Sequence, residues 1–190
     1  MPQPIDLASL VAHGLDPVLF CEERLEFVPD PWQARVLRST APQIIQCTGR
    51  QVGKSTIVSA LALHTCLYRP GSLVLVIAPS QRQSRELFIK IMNFLERLEP
   101  PQPTEEETKL SLMLANGSRV VTLPGDNSRT IRGYSAPALV LMDEAAFIAD
   151  DTFDATIPML AASQSGRIVL MSTPFIAAGF FYQIWHGSGD

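Results

Sequence analysis

The stretch Gln43-Ile44-Ile45-Gln46-Cys47-Thr48-Gly49-Arg50-Gln51-Val52-Gly53-Lys54-Ser55-Thr56 decides how the chain is built. An apolar run ends at Cys47, a polar loop containing glycine follows, and Gly53-Lys54-Ser55 opens a segment rich in Ile, Val, Ala and Leu. The pattern predicts strand, loop and helix, the setting a phosphate-binding P-loop needs. Backbone N–H groups of such a loop converge on one spot, and the dipole of the following helix favours an anion there. Gly53 keeps a Cβ away from the approaching phosphate. Lys54 can reach the β- and γ-phosphates of a nucleotide, and the Ser55 hydroxyl can ligate Mg²⁺. The candidate binding residues are therefore Thr48, Gly49, Arg50, Gln51, Val52, Gly53, Lys54, Ser55 and Thr56. The loop departs from the usual spacing: Thr48 stands where a glycine is expected, Gly49 comes one place late, and Arg50 lies inside the loop.

A second stretch bears on the first. Ala138-Leu139-Val140-Leu141-Met142 reads as a buried strand, and Asp143-Glu144 stand at its carboxyl end. Burying two adjacent carboxylates is costly unless a cation or solvated ligand meets them. Beside a P-loop each carboxylate has a use. Asp143 holds Mg²⁺ through its water shell, and Glu144 polarises the attacking water. Strand alternation would point the two carboxylates opposite ways, which suits different roles.

Working outward, Leu73-Val74-Leu75-Val76-Ile77-Ala78 is a second strand, buried on both faces, and Ser165 to Met171 reads as a further strand. The predicted helices run over about 53–68, 81–98 and 151–162, with a last one over 179–185. Residues 1–26 read as one or two short outer helices broken near Pro17. Asp30-Pro31 signals another helix start, with Gln33 on its first turn. A glutamine amide there can pair with an adenine edge. Asn116-Gly117 between two apolar runs predicts an inserted β-hairpin, and Pro100 to Glu107 before it a polar connection. Arg82, Gln83 and Arg85 begin a helix at a strand's carboxyl end, where they could touch a nucleic-acid backbone or simply be solvated. Pro124 to Tyr134 is a turn-rich loop with Arg129 and Arg132, either of which could neutralise a transferring phosphoryl group. Ser172 and Thr173 end a strand at the same edge.

At 190 residues, 46% of them hydrophobic, the chain suits one domain with a buried sheet covered on both sides. A formal net charge of −4 restricts any nucleic-acid contact to a local patch or to sequence outside this chain. Cys21, Cys47 and Cys66 have neither the spacing nor the histidines of a zinc site and no disulfide framework, so a reducing cytoplasm is expected. No secretory signal and no transmembrane span is expected.

With these residues in place, the sequence resembles the large terminase subunit of tailed bacteriophages, in its N-terminal ATPase domain. The likeness rests on Pro31-Trp32-Gln33, Arg50 to Ser55, Ala78-Pro79-Ser80, Thr130-Ile131-Arg132-Gly133, Leu139 to Ala146, Ser172-Thr173-Pro174 and Gly179-Phe180-Phe181-Tyr182. It extends from about Phe27 to Trp185, and the shifted glycine and loop arginine are common in that family. The resemblance implies an α/β P-loop NTPase fold of the ASCE, RecA-like type: a mostly parallel sheet with helices on both faces. It implies Mg²⁺-dependent ATP hydrolysis with Glu144 as catalytic glutamate, Arg50 in a cis phosphate or communication role and Arg132 acting in trans on a neighbour. Gln33 matches the adenine-contacting position, and Ser172 and Thr173 the coupling motif. The implied partners are double-stranded DNA, the portal and procapsid, the small terminase subunit, and further copies in a ring of five, with a monomer in isolation. The implied location is the host bacterial cytoplasm. The whole chain, residues 1–190, is then the ATPase domain, without the family's C-terminal nuclease. Two other readings stay open: the first motor domain of a two-domain helicase, and a nucleotide-gated assembly module that barely hydrolyses.

Overall fold

Seven strands form one sheet in the order β1-β7-β6-β2-β5-β4-β3 in a computed structural model that describes residues 6–126 and 128–187. Asn127 of the arginine-bearing loop and residues 1–5 of the expected outer helices lie outside the described residues. The strands are β1 (Gln43–Cys47), β2 (Leu73–Ala78), β3 (Thr104–Glu107), β4 (Ser111–Leu114), β5 (Arg119–Pro124), β6 (Leu139–Asp143) and β7 (Arg167–Ser172). The helices are α1 (Leu7–Leu15), α2 (Pro17–Arg24), α3 (Pro31–Arg38), α4 (Lys54–Tyr68), α5 (Gln81–Glu96), α6 (Ser128–Ile131), α7 (Asp150–Ala161) and α8 (Gly179–His186).

The five strands β1, β7, β6, β2 and β5 run parallel. Parallel neighbours need long crossovers, and helices supply them. Residue alternation then sorts the side chains. Val74, Val76, Leu139, Leu141, Val169 and Met171 pack into one core with α4 and α5. Leu75, Ile77, Val140, Met142, Ile168 and Leu170 pack into a second core with α7 and α8. Strands buried on both faces explain the unbroken apolar runs, and the expected covering of the sheet on both sides is present. Full burial of one such Leu or Ile side chain stabilises the fold by about 1.5–3 kcal/mol. The two-faced burial also fixes register, because a one-residue slip would exchange the two cores.

α4 is buried around most of its circumference, with Ala60 and Ala62 allowing close approach to the sheet. α3 starts at Pro31 after Asp30, as the capping pattern predicts. α1 and α2 break at Asp16-Pro17, where the Asp16 carboxylate accepts from the Val18 amide. They lie against α4: the His64 ring nitrogen meets the His13 carbonyl at 2.8 Å, and Phe20 packs edge-on against His64 and Tyr68.

The Asn116-Gly117 turn joins two antiparallel strands, as its residues predict, and the second of them, β5, is also parallel to β2, so the hairpin extends the main sheet. The Asn116 side chain pins the turn to α4 by donating to the Cys66 carbonyl at 2.8 Å. The acidic stretch expected to be a plain connection holds β3, an exposed edge strand antiparallel to β4. Exposed charge on an edge strand guards it against pairing with other chains, so its polarity hid the strand.

Candidate nucleotide site

Sheet order brings the loop and the acidic pair together. One strand, β7, separates β1 from β6, so the loop after Cys47 and the carboxylates after Met142 meet at the carboxyl edge. Open α/β sheets place ligands at that edge. Asp143 shares the parity of Leu139 and Leu141, so it faces α4, and it meets Ser55 on that helix's first turn. The Ser55 hydroxyl donates to Asp143 Oδ2 at 2.6 Å. Burial pushes the Asp143 carboxyl up from its ordinary value, against the lowering hydrogen bond from Ser55.

Glu144 departs from the strand alternation predicted for it. β6 ends at Asp143, and Glu144 adopts the left-handed conformation, φ 51° and ψ 47°. That conformation is uncommon for a residue with a side chain and costs about 1–3 kcal/mol. Its surroundings hold it there. Thr173 donates to Glu144 Oε2 through its amide at 3.1 Å and its hydroxyl at 3.0 Å, and the Ser172 hydroxyl stands 3.4 Å from the same oxygen. Lys54 Nζ lies 3.5 Å from Glu144 Oε1 and donates to the Gly49 carbonyl at 2.8 Å. Ser172 and Thr173, expected at the nucleotide as a coupling motif, are here the groups that orient Glu144.

The loop is shaped for an anion. Gln51 and Gly53 both have positive φ, 60° and 86°. Successive amides in such a turn make a concave cluster of donors. The amides of Gly49, Arg50, Gln51, Val52 and Gly53 reach no acceptor among the described residues, and the Thr48 hydroxyl is buried without a partner. The buried Thr48 hydroxyl lacks a partner, and the loop amides beside it stand open to an outside group that accepts. Oxygen donors Ser55 and Asp143, side by side, match the ligand preference of Mg²⁺, which keeps most of its own waters. The residues present therefore fit a magnesium nucleotide. Thr56 lies in the first turn of α4, its amide donating to the Gly53 carbonyl at 3.1 Å.

Gln33 lies on the first turn of α3, facing the loop. It is 3% exposed. Its carbonyl accepts from the Asp30 amide at 2.7 Å, and its NH₂ donates to the Val52 carbonyl at 3.0 Å. Each end of the amide has one partner, and Gln33 braces the loop against the start of α3 with one N–H and one lone pair still open. A Cβ on Gly53 would lie 2.6 Å from Gln33 Nε2, so Gly53 is needed for this brace as well as for its left-handed φ.

The side chains of Arg50 and Arg132 are exposed and make no hydrogen bond or ion pair among the described residues; Arg132 follows the single turn of α6, its amide donating to the Ser128 carbonyl at 3.3 Å. The structure does not bring Arg132 into contact with Lys54, Ser55, Asp143 or Glu144 of its own chain. Sequence reasoning missed two groups: Glu86 and Lys90 line a cavity of about 190 Å³ beside Ser55, Asp143 and Glu144. Their signal was the four-residue spacing on a helix leaving the carboxyl edge. A larger cavity of about 450 Å³ beside β1 is lined by apolar groups such as Ile45, Phe153 and Ile157, and has no titratable side chain.

A loop and an acidic pair one strand apart, at the carboxyl edge of a parallel sheet between two helical layers, define an α/β nucleotide-binding domain of the RecA-like kind. The chain belongs to the family described as terminase large subunit, T4likevirus-type, N-terminal, which matches residues 45–190. The terminase large subunit of Thermus phage G20c is 31% identical, over 87% of this chain and 38% of its own length. That of Thermus virus P23-45 is 30% identical with the same coverage. The chain thus spans 38% of the length of these relatives. The large terminase ATPase domain of Thermus phage P74-26 superposes with a TM-score of 0.74 at 28% identity, over 84% of this chain and 70% of that one. The large terminase of bacteriophage HK97 shares the fold, with a TM-score of 0.76 at 17% identity, over 90% of this chain and 40% of that one.

Proposed function

We propose that this chain is the motor domain of a DNA-packaging terminase, hydrolysing ATP with Mg²⁺ to drive double-stranded DNA into a procapsid. The observation that carries the reading is the pairing of Ser55 with Asp143 at 2.6 Å, beside Lys54 and Glu144 at 3.5 Å. It joins the loop and the acidic pair in one site, and the family membership gives that site its context.

In this mechanism the loop amides from Gly49 to Gly53 and the start of α4 cradle the phosphates. Lys54 exchanges the Gly49 carbonyl for phosphate oxygens and steadies the charge that develops on them. Ser55 and Asp143 would hold Mg²⁺, which neutralises phosphate charge when bound. Glu144 accepts a proton from the attacking water, and Thr173 and Ser172 aim its carboxylate. Arg132 completes the site of a neighbouring copy in a ring, and Arg50 acts within its own. Residues 1–26 form the family domain's N-terminal extension, of which α1 and α2 are the described helices. The portal, the small terminase subunit, the family's nuclease and the host cytoplasm as the place of action complete the proposal; among the described residues no helix is long and apolar enough to cross a membrane.

The test is ATP turnover per chain measured against protein concentration, with and without duplex DNA. A steep rise of specific activity with concentration supports a site shared between copies. Absence of Mg²⁺-dependent turnover at every concentration overturns the hydrolytic reading.

A further inference from the structure

The carboxyl edge carries a second concavity, outside the nucleotide site. Its volume is about 500 Å³, with Arg82, Arg85, Glu86 and Ile89 of α5 on one wall and Lys109 and Leu110 of the β3–β4 connection on the other. Arg82, Arg85 and Ile89 are spaced three and four apart, so they share a helix face. The opposite wall is anchored: the Leu110 carbonyl accepts from the Thr122 amide at 2.8 Å and its hydroxyl at 3.1 Å, and the Thr108 amide donates to the Ser111 carbonyl at 2.8 Å. Arg82, Arg85 and Lys109 are exposed, and no carboxylate of the described residues forms an ion pair with them. In a chain of net charge −4, three unpaired cations facing one another across a groove run against the overall trend.

We propose that this groove holds the phosphate backbone of duplex DNA; the proposal rests on the motor reading above and supplies its DNA-contacting face. Cations on two walls, with Ile89 and Leu110 adding apolar surface to them, suit a row of phosphates flanking apolar sugar, and a single small anion would leave most of the groove empty. Glu86 lines this groove and also the cavity beside Asp143 and Glu144, so the groove opens toward the nucleotide. A backbone held here lies one helix turn from Lys90 and Glu144's cavity, where hydrolysis could move α5 against it. The exposed carboxylates Glu105, Glu106 and Glu107 of β3 repel phosphate and limit the footprint to the groove.

The experiment compares the chain with the triple variant Arg82→Ala/Arg85→Ala/Lys109→Ala, and with Arg97→Ala, a charge removed from the far end of α5. Binding of a labelled duplex is titrated at several salt concentrations, with poly-glutamate of equal charge in parallel and DNA-free ATP turnover as a separate readout. The triple variant is expected to lose affinity for duplex and to flatten the slope of log K against log salt by about 2.7, at 0.9 per lost phosphate contact. Arg97→Ala is expected to leave both unchanged. Equal slopes in the triple variant and the parent overturn the groove, as does an equal, groove-dependent affinity for poly-glutamate. Absence of turnover in the parent chain would instead sink the motor reading, whatever the groove does.

Discussion

Thr173 holds Glu144 twice, with amide and hydroxyl both on Oε2, at 3.1 Å and 3.0 Å. The grip ties the end of β7 to the residue that would activate water. Glu144→Gln keeps the shape and removes the base, so turnover should fall by about 10²–10⁴ while nucleotide affinity persists. Thr173→Val keeps the amide bond and loses the hydroxyl, so kcat should fall about tenfold, the equivalent of 1.4 kcal/mol, with KM little changed. Steady-state kinetics of both variants checks this; a Thr173→Val chain with parental kcat would detach Thr173 from Glu144's role.

Gln33 offers a choice between two measurable outcomes. A brace on the Val52 carbonyl serves any nucleotide, whereas an adenine contact serves only ATP. Gln33→Ala is expected to weaken ATP and GTP binding by similar factors, because it loosens the loop and leaves the Val52 carbonyl without its donor. Equilibrium binding of the two nucleotides decides it. A loss confined to ATP returns Gln33 to base recognition.

Arg132 makes no contact with its own chain's site, and trans action has a direct signature. Arg132→Ala and Glu144→Gln chains should each be nearly inactive when assembled, since an arginine finger contributes about 10³–10⁵ in rate. Mixed together, they should regain part of the activity: a Glu144→Gln copy lends its arginine to an Arg132→Ala neighbour. A mixture no more active than its components would contradict trans completion.

His64 sets a pH dependence of stability. Burial holds its ring below the ordinary 6.5, with the His13 carbonyl acting the other way. Below pH 6.5 the unfolded chain takes up a proton that the folded chain refuses, so unfolding is favoured as pH falls. Stability from this group is complete above 6.5 and is lost progressively beneath it. The Asp16–Arg38 pair works in a separate window, since its hydrogen bond holds Asp16 below 3.8. Urea midpoints between pH 8 and 5.5 should fall for the parent and fall less for His64→Gln. Identical slopes would remove His64 from this role.

The strands and their burial could be read in advance because apolar runs such as Leu73 to Ala78 have one use, and because glycine, proline and asparagine mark turns by their own backbone preferences. The convergence of Lys54 with Asp143 and Glu144 followed from placing both motifs at carboxyl ends. Other features depend on tertiary contacts. The left-handed turn at Glu144 is imposed by Thr173 from a distant strand, while local alternation pointed the carboxylate elsewhere. Gln33 was legible as a helix-capping position but not as a partner of Val52. β3 read as a connection because its edge is charged, and Lys90 gained meaning only when α5 was seen beside Asp143.

Everything proposed for the motor requires that Lys54, Ser55, Asp143 and Glu144 serve one magnesium nucleotide. Titration of a fluorescent ATP analogue with and without Mg²⁺ tests this, in the parent chain and in Lys54→Ala, Ser55→Ala and Asp143→Asn. Mg²⁺ is expected to strengthen binding to the parent, Ser55→Ala and Asp143→Asn each to remove the strengthening, and Lys54→Ala to weaken binding with or without the metal. Mg²⁺ enhancement that survives in Asp143→Asn at its parental size would contradict a shared site.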